Sequence, residues 1–298
     1  MKILQINNLT KRYGRITAVN GLNLDVEQGQ IYGILGPNGS GKTTTLGIVL
    51  GIIGADAGSF QWFDGQQGSG AEPLRQVGSL LETPNFYPYM NAVQNLEIVA
   101  HIKRASNTEF DRLLTLVNLA HRKDAPFKTY SLGMKQRLAI AATMVGDPSV
   151  LIFDEPTNGL DPTGIAEVRE TILKIASEGK TVFMASHILD EVEKICSHVA
   201  IIKNGNLLAT GEVGGLLNKD VTIELAAQNN EILRGLLAES NFVTKLEFEH
   251  NLLIVKVKEG ITINDVSQFC FEKGIALTHI SERKNRLEDE FIKITSKN

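Results

Sequence analysis

The sequence predicts an α/β chain in two parts, a mostly parallel sheet with helices on both faces followed by a small α+β unit. Three observations carry this. A continuously apolar run, "IYGIL" (Ile31 to Leu35), leads through a glycine-rich turn into a helix from Lys42, as a buried strand feeding a crossover should. From Ser149 the pattern repeats as strand, helix, strand, with "VLIFDEP", "DPTGIAEVRETILKIASEG" and "TVFMAS" in succession, and such alternation implies parallel pairing. After about Asn218 the pattern changes to short strands and two helix-like segments.

Before "IYGIL" we expect short alternating strands, of which "LNLDV" (Leu22 to Val26) places an apolar residue at every second position. The middle of the chain predicts helices over "NAVQNLEIVAHIKR" and "NTEFDRLLTLVNLAH", whose apolar residues recur at three- and four-residue spacing. In the later helix, Asp161 suits the cap, Pro162 the first turn and Gly179 the end. "VAIIKNGNLLATG" predicts a hairpin around Asn204-Gly205. The last part, "VTIEL", "NEILRGLLAES", "VTKLEFE", "LLIVKVK", "INDVSQFCFEKG" and "IALTHIS", predicts a β-α-β-β-α-β unit with an amphipathic tail helix in "RLEDEFIKIT". The expected division is 1–217 and 218–298.

At 298 residues, both parts can have cores. A hydrophobic share of 43% and a charged share of 21% describe a globular protein, and a formal charge of −4 leaves no basic footprint for nucleic acid. Cys196 and Cys270 have neither disulfide nor metal-site spacing, so we expect buried thiols in a reducing compartment. The opening stretch "MKILQINNLTKRYG" lacks an apolar core followed by a cleavage site, so we expect no secretory leader in it, and no run reaches about 18 unbroken apolar residues. A membrane role would need another chain to span the bilayer.

The most specific motif is "GPNGSGKTT", Gly36, Pro37, Asn38, Gly39, Ser40, Gly41, Lys42, Thr43 and Thr44, which satisfies G-x-x-x-x-G-K-[ST] between a strand and a helix. Gly36, Gly39 and Gly41 let the backbone approach a polyphosphate, and amides at the helix start point toward its charge. Lys42 adds a mobile cation for the β- and γ-phosphates, and the Thr43 hydroxyl can bind Mg²⁺. "VLIFDEP" delivers adjacent carboxylates to a strand end. Asp154 is the natural Mg²⁺ partner, and Glu155 is placed to accept a proton from the attacking water. Strand alternation would send the two to different sides. "YSLGMKQRLAIAATM" then begins a second apolar helix with an exposed serine and glycine, another anion-binding end that one nucleotide hardly needs.

"SLGMKQ" resembles the signature segment of ABC-type ATPases, and the order phosphate loop, signature, "LIFDEP", "NGLDP", "ASH" is that family's order. The likeness covers about residues 1 to 215. It implies a P-loop ABC ATPase fold with a mixed sheet core, an antiparallel β subdomain and a helical signature lobe, joined here to a small C-terminal α+β domain. It also implies ATP and Mg²⁺ as ligands and a head-to-tail pair with a second ATPase subunit, either a copy of this chain or a close paralogue. Ser131 and Gly133 would contact the γ-phosphate held by that second subunit. Tyr13 resembles the aromatic on which adenine stacks, although core packing would equally explain it. Asp161 resembles the acid linking the two sites, and capping its own helix is a sufficient structural reason for it. His187 resembles the switch histidine at the γ-phosphate.

Between phosphate loop and signature the family carries a glutamine that senses Mg²⁺ and water. Here Glu82 fills that position, in "SLLETPNFYP", a departure that resembles a subgroup of exporter ATPases linked to bacitracin and lantibiotic self-protection. Glu82 would either meet the metal-water shell or only shape the loop. The run from Glu82 to Tyr89 resembles the part facing an integral membrane permease, with Phe86, Tyr87 and Tyr89 as a docking surface, or else packed on the helical lobe. The resemblance thus implies an ATP-hydrolysing exporter subunit at the inner face of the cell membrane. The alternative is a soluble ABC ATPase acting in translation or DNA repair, for which two ATPase units or a long coiled-coil insertion would be expected. A P-loop kinase or GTPase is opposed by "SLGMKQ" and by the lack of an Asn-Lys-x-Asp motif. For the C-terminal unit, dimer support, regulation and plain packing stay open.

Overall fold

The computed structural model describes residues 1–65, 71–81, 85–106, 109–216, 222–258, 260–283 and 287–296. In chain order, β1 (Lys2–Tyr13), β2 (Ile16–Glu27) and β3 (Ile31–Leu35) lead to α1 (Lys42–Val49). Next come β4 (Ala57–Trp62), α2 (Ala71–Leu74) and β5 (Val77–Leu80), then the helices α3 (Ala92–Lys103), α4 (Phe110–Leu116) and α5 (Leu132–Thr143). The chain continues through β6 (Val150–Asp154), α6 (Pro162–Ser177), β7 (Thr181–Ser186), α7 (Leu189–Ile195), β8 (His198–Lys203), β9 (Asn206–Glu212) and α8 (Val213–Leu216). It ends with β10 (Thr222–Ala227), α9 (Asn230–Ala238), β11 (Val243–Glu249), β12 (Leu252–Val257), α10 (Ile263–Glu272), β13 (Leu277–Arg283) and α11 (Leu287–Ser296).

The chain divides into two compact units, Met1–Val213 with Ile294–Asn298, and Gly214–Lys293. The expected boundary after residue 217 falls outside the described residues. In the first unit a six-stranded sheet runs in the order β5-β6-β7-β3-β8-β9, parallel except for β9, which turns back through the Asn204-Gly205 hairpin. Both hairpin residues have positive φ (50° and 79°), as the expected turn type requires. A separate antiparallel sheet has the order β2-β1-β4. One buried cluster joins Ile3, Leu4 and Leu24 of that sheet, Leu46 and Ile48 of α1, and Ile34, Ile152 and Phe183 of the large sheet.

The first two strands are not short, as expected, but twelve residues each. Several register shifts interrupt the ladder between them, and such irregularities bend a long strand pair and locally increase its twist. The predicted helix over residues 107–121 also contracts to α4. Asn118, at φ 54°, takes the left-handed position after the cap, and the Leu119 amide returns to the Leu114 carbonyl at 2.7 Å, which ends the helix. α3 begins with a capping box between Asn91 and Gln94.

In the second unit β10 to β13 form an antiparallel sheet ordered β11-β12-β10-β13. With α9 and α10 it follows the β-α-β-β-α-β order, around a core that includes Ile223, Leu233, Val255, Val266 and Cys270. Cys196 and Cys270 are both buried and free, and burial pushes the Cys196 thiol up to about 12.

Candidate active site

Three adjacent parallel strands, β6, β7 and β3, place their carboxyl ends together, where ligands bind in such sheets. β3 delivers the glycine-rich turn. A Cβ on Gly36 would stand 2.2 Å from the Ile202 carbonyl oxygen, and one on Gly41 (φ 106°) 2.1 Å from that of Ala18. Only glycine fits at both. Around Gly39 (φ 79°) nothing lies within 4 Å of such a Cβ, so there the loop faces open space. The β8–β9 hairpin braces the turn, its Gly205 amide donating to the Ser40 carbonyl at 3.0 Å. Pro37, Asn38, Gly39 and Thr43 are exposed, Thr44 is half-buried, and Ser40, Gly41 and Lys42 are buried. The buried Ser40 hydroxyl has no hydrogen-bond partner among the described residues.

Lys42 folds back over the turn. Its Nζ donates to the Gly36 carbonyl at 2.8 Å and to that of Pro37 at 3.3 Å, and it lies 3.3 Å from Glu155 Oε1. The other Glu155 oxygen accepts the His187 amide at 3.3 Å and lies 2.8 Å from His187 Nδ1. Lys42, Glu155 and His187 thus meet at the mouth of the cradle. The strand pleat expected to set Asp154 and Glu155 on different sides does not extend to Glu155. β6 ends at Asp154, which is buried, and Glu155 turns off at φ 50° while its amide donates to Ala185 O at 3.0 Å. A left-handed φ costs a non-glycine residue about 1–2 kcal/mol, and here it turns Glu155 out of the strand.

Asp154 and the exposed Thr43 supply one carboxylate and one hydroxyl. Among the described residues no cluster of three or more His, Cys, Asp or Glu could hold a metal. That set fits Mg²⁺ in company with a polyphosphate, because Mg²⁺ takes one or two protein oxygens and completes its shell with phosphate and water.

The other predicted residues lie as follows. Tyr13, at the end of β1, is 48% exposed, with Lys11 Nζ 5.5 Å from its ring centre; core packing is therefore not its role. Ser131 caps α5 by accepting the Met134 amide, and Gly133 abuts Gly164 of α6. Asp161 caps α6 by accepting the Gly164 amide at 2.8 Å, so Ser131, Gly133 and Asp161 share one corner of the unit. Glu82 lies outside the described residues. Of the aromatic run, Phe86 packs edge-on against Phe127 at 5.2 Å, leaving Tyr87 (58%) and Tyr89 (79%) exposed.

Sequence reasoning missed two anchors. Buried Asn95 of α3 bonds the Tyr87 amide at 2.8 Å and the carbonyls of Tyr87, Met90 and Asn91. Buried Arg137 of α5 bonds the Val117 and Asn118 carbonyls and pairs with Glu167 of α6 at 3.1 Å. A polar residue on a helix's apolar face was the available signal for both, since such groups are buried only with partners.

The family model described as ABC transporter matches residues 19–158. The bacitracin transport ATP-binding protein BcrA of Enterococcus faecalis is 36% identical, over 98% of this chain and 96% of its own length. The chain belongs to the ABC transporter ATP-binding proteins. The lantibiotic transport ATP-binding protein SrtF of Streptococcus pyogenes is 39% identical over 78% of this chain and 98% of its own length. Among solved structures, cbiO1 from Clostridium perfringens, part of the ABC transporter complex cbiONQ, superimposes with a TM-score of 0.67 at 26% identity, covering 80% of this chain and 95% of that one. This ABC protein therefore has the cassette fold, binds and hydrolyses ATP, and works as the ATPase of a membrane transporter. No helix among its described residues is long and apolar enough to cross a membrane.

Proposed function

We propose that this ATPase drives export of a peptide antibiotic or similar amphiphile, working as a head-to-tail pair attached through a permease to the inner face of the cell membrane. The observation that carries the catalytic reading is the Glu155 carboxylate held between Lys42 Nζ and His187 Nδ1 at the mouth of the glycine cradle. The exposed Tyr13 ring stacks on adenine, and the amides of residues 36 to 44 cradle the phosphates. Lys42 exchanges its carbonyl and Glu155 partners for β- and γ-phosphate oxygens. Glu155 then accepts the proton of the attacking water, and His187 contacts the γ-phosphate. Thr43 and Asp154 would hold Mg²⁺, which would supply positive charge to offset that of the phosphates. Ser131 and Gly133 close over the nucleotide of the second subunit, near which Asp161 links the two sites.

Export is supported by the bacitracin and lantibiotic transport relatives, the first of which aligns through the second unit as well. Glu82 tunes the same step from the metal-water side, and Tyr87 and Tyr89 present the permease with amphipathic anchors. Affinity purification from native membranes should recover a multi-spanning protein, and loss of this chain should raise sensitivity to bacitracin or a lantibiotic. Recovery of soluble partners alone, with sensitivity unchanged, would overturn the exporter assignment. Glu82→Gln should keep ATP affinity and alter permease-stimulated hydrolysis.

A further inference from the structure

His187 stands immediately before α7, and α7 has little of its own to fix it. It is seven residues long, and its cap residue, Ile188, provides no side-chain hydrogen bond. A helix this short takes its placement from tertiary contacts. Val192 and Ile195 supply apolar contact, but their packing is non-directional. Glu191 adds a directional contact: its side chain is 4% exposed and its Oε1 lies 3.2 Å from Arg169 Nη1 of α6. Its second oxygen, Oε2, is buried with no hydrogen-bond partner among the described residues. Burial pushes the Glu191 carboxyl up, against the pull of the Arg169 guanidinium. A partly buried ion pair whose buried carboxylate is only half satisfied is a poor way to gain stability. It is, however, an effective way to fix one helix against another.

We infer that Glu191, through Arg169, is a positioning residue that sets α7 on α6 and so aims the His187 imidazole at Glu155 and the γ-phosphate. α6 is itself capped by Asp161 and paired through Glu167 to Arg137 of the signature helix α5. The pair therefore ties the switch histidine to the helix that carries the corner of Ser131, Gly133 and Asp161. This inference rests on the proposed role of His187.

The test is a double-mutant cycle on the purified full chain at saturating MgATP, with wild type, His187→Ala, Glu191→Gln and the combined variant. Misplacing a reacting group by about an ångström costs up to about 100-fold, so Glu191→Gln should lower kcat by about tenfold while the KM for ATP changes less than about twofold. The combined variant should be no slower than His187→Ala alone, because both changes remove the same contact. Arg169→Met should reproduce the Glu191→Gln defect and Arg169→Lys should restore most of the rate. If Glu191→Gln does not fold, the cycle is run with Arg169→Met, whose site is partly exposed. Losses that multiply independently, or a Glu191→Gln enzyme at the wild-type rate, would overturn the inference. A His187→Ala enzyme at the wild-type rate would instead overturn the role given to His187.

Discussion

Replacing Glu155 by Gln keeps the side chain's shape and removes its charge, which separates two effects the structure sets against each other. The first is chemical. A positioned general base contributes about 10²–10⁴-fold, equivalent to about 3–5 kcal/mol of barrier, and kcat should fall by that factor. The second concerns binding. Glu155 Oε1 lies 3.3 Å from Lys42 Nζ, an attraction of about 5 kcal/mol gross at an effective dielectric constant of 20. Most of it is offset by desolvation, leaving at most about 1 kcal/mol net. That pair must loosen before Lys42 can turn to the phosphates, so neutralising Glu155 should leave ATP affinity unchanged or tighten it by up to about fivefold. Single-turnover hydrolysis and titration with a fluorescent ATP analogue read the two effects separately. A kcat within about threefold of wild type would refute the base assignment. ATP bound more than about tenfold more weakly would show that the ion pair supports the binding conformation instead of competing with it.

Further substitutions probe the rest of the site. At Gly41, φ is 106° and a Cβ would meet the Ala18 carbonyl at 2.1 Å. Gly41→Ala should impose about 1–3 kcal/mol of strain, read as roughly 5- to 150-fold weaker ATP binding by calorimetry, and wild-type affinity would contradict the geometry. Tyr13→Ala should weaken ATP binding by about 1–3 kcal/mol, the scale of a lost stacked base, while kcat at saturation stays unchanged; a fall in kcat alone would argue against stacking. Lys103 gives a pH signature. Its ammonium donates to the Ala142, Thr143 and Val145 carbonyls at the end of α5, and burial pulls it from its ordinary 10.5 down to about 8. Between those values the unfolded chain binds the extra proton, so stability should rise with pH across that window, by less than the full shift would give because the side chain is exposed and screened by solvent. The gain is complete above 10.5 and absent below 8. Urea unfolding of wild type and Lys103→Met from pH 7 to 10 measures it, and a constant difference between the two would refute it.

Much of the site was legible in the sequence because local chemistry dictates it. A glycine-rich turn between an apolar strand and a helix has few uses, and Asp161, Pro162 and Gly179 mark their helix by backbone rules that need no distant partner. The hairpin at Asn204-Gly205 was legible for the same reason, but its bracing of Ser40 was not, since 164 positions separate the partners in sequence. Asn95, Arg137 and Glu191 went unread because a polar residue on a helix shows its purpose only when its partner, on another element, is known.

The sequence by itself determined the α/β class, the phosphate loop, the order of motifs and the adjacent pair Asp154-Glu155, all fixed by residue type and short-range spacing. Only the tertiary structure decided that Glu155 leaves its strand with φ 50° to meet Lys42 and His187, that Phe86 turns inward while Tyr87 and Tyr89 face out, and that Glu191 of α7 meets Arg169 of α6 in a partly buried ion pair. Those outcomes depend on which surfaces pack together, and packing brings together residues that no local pattern links.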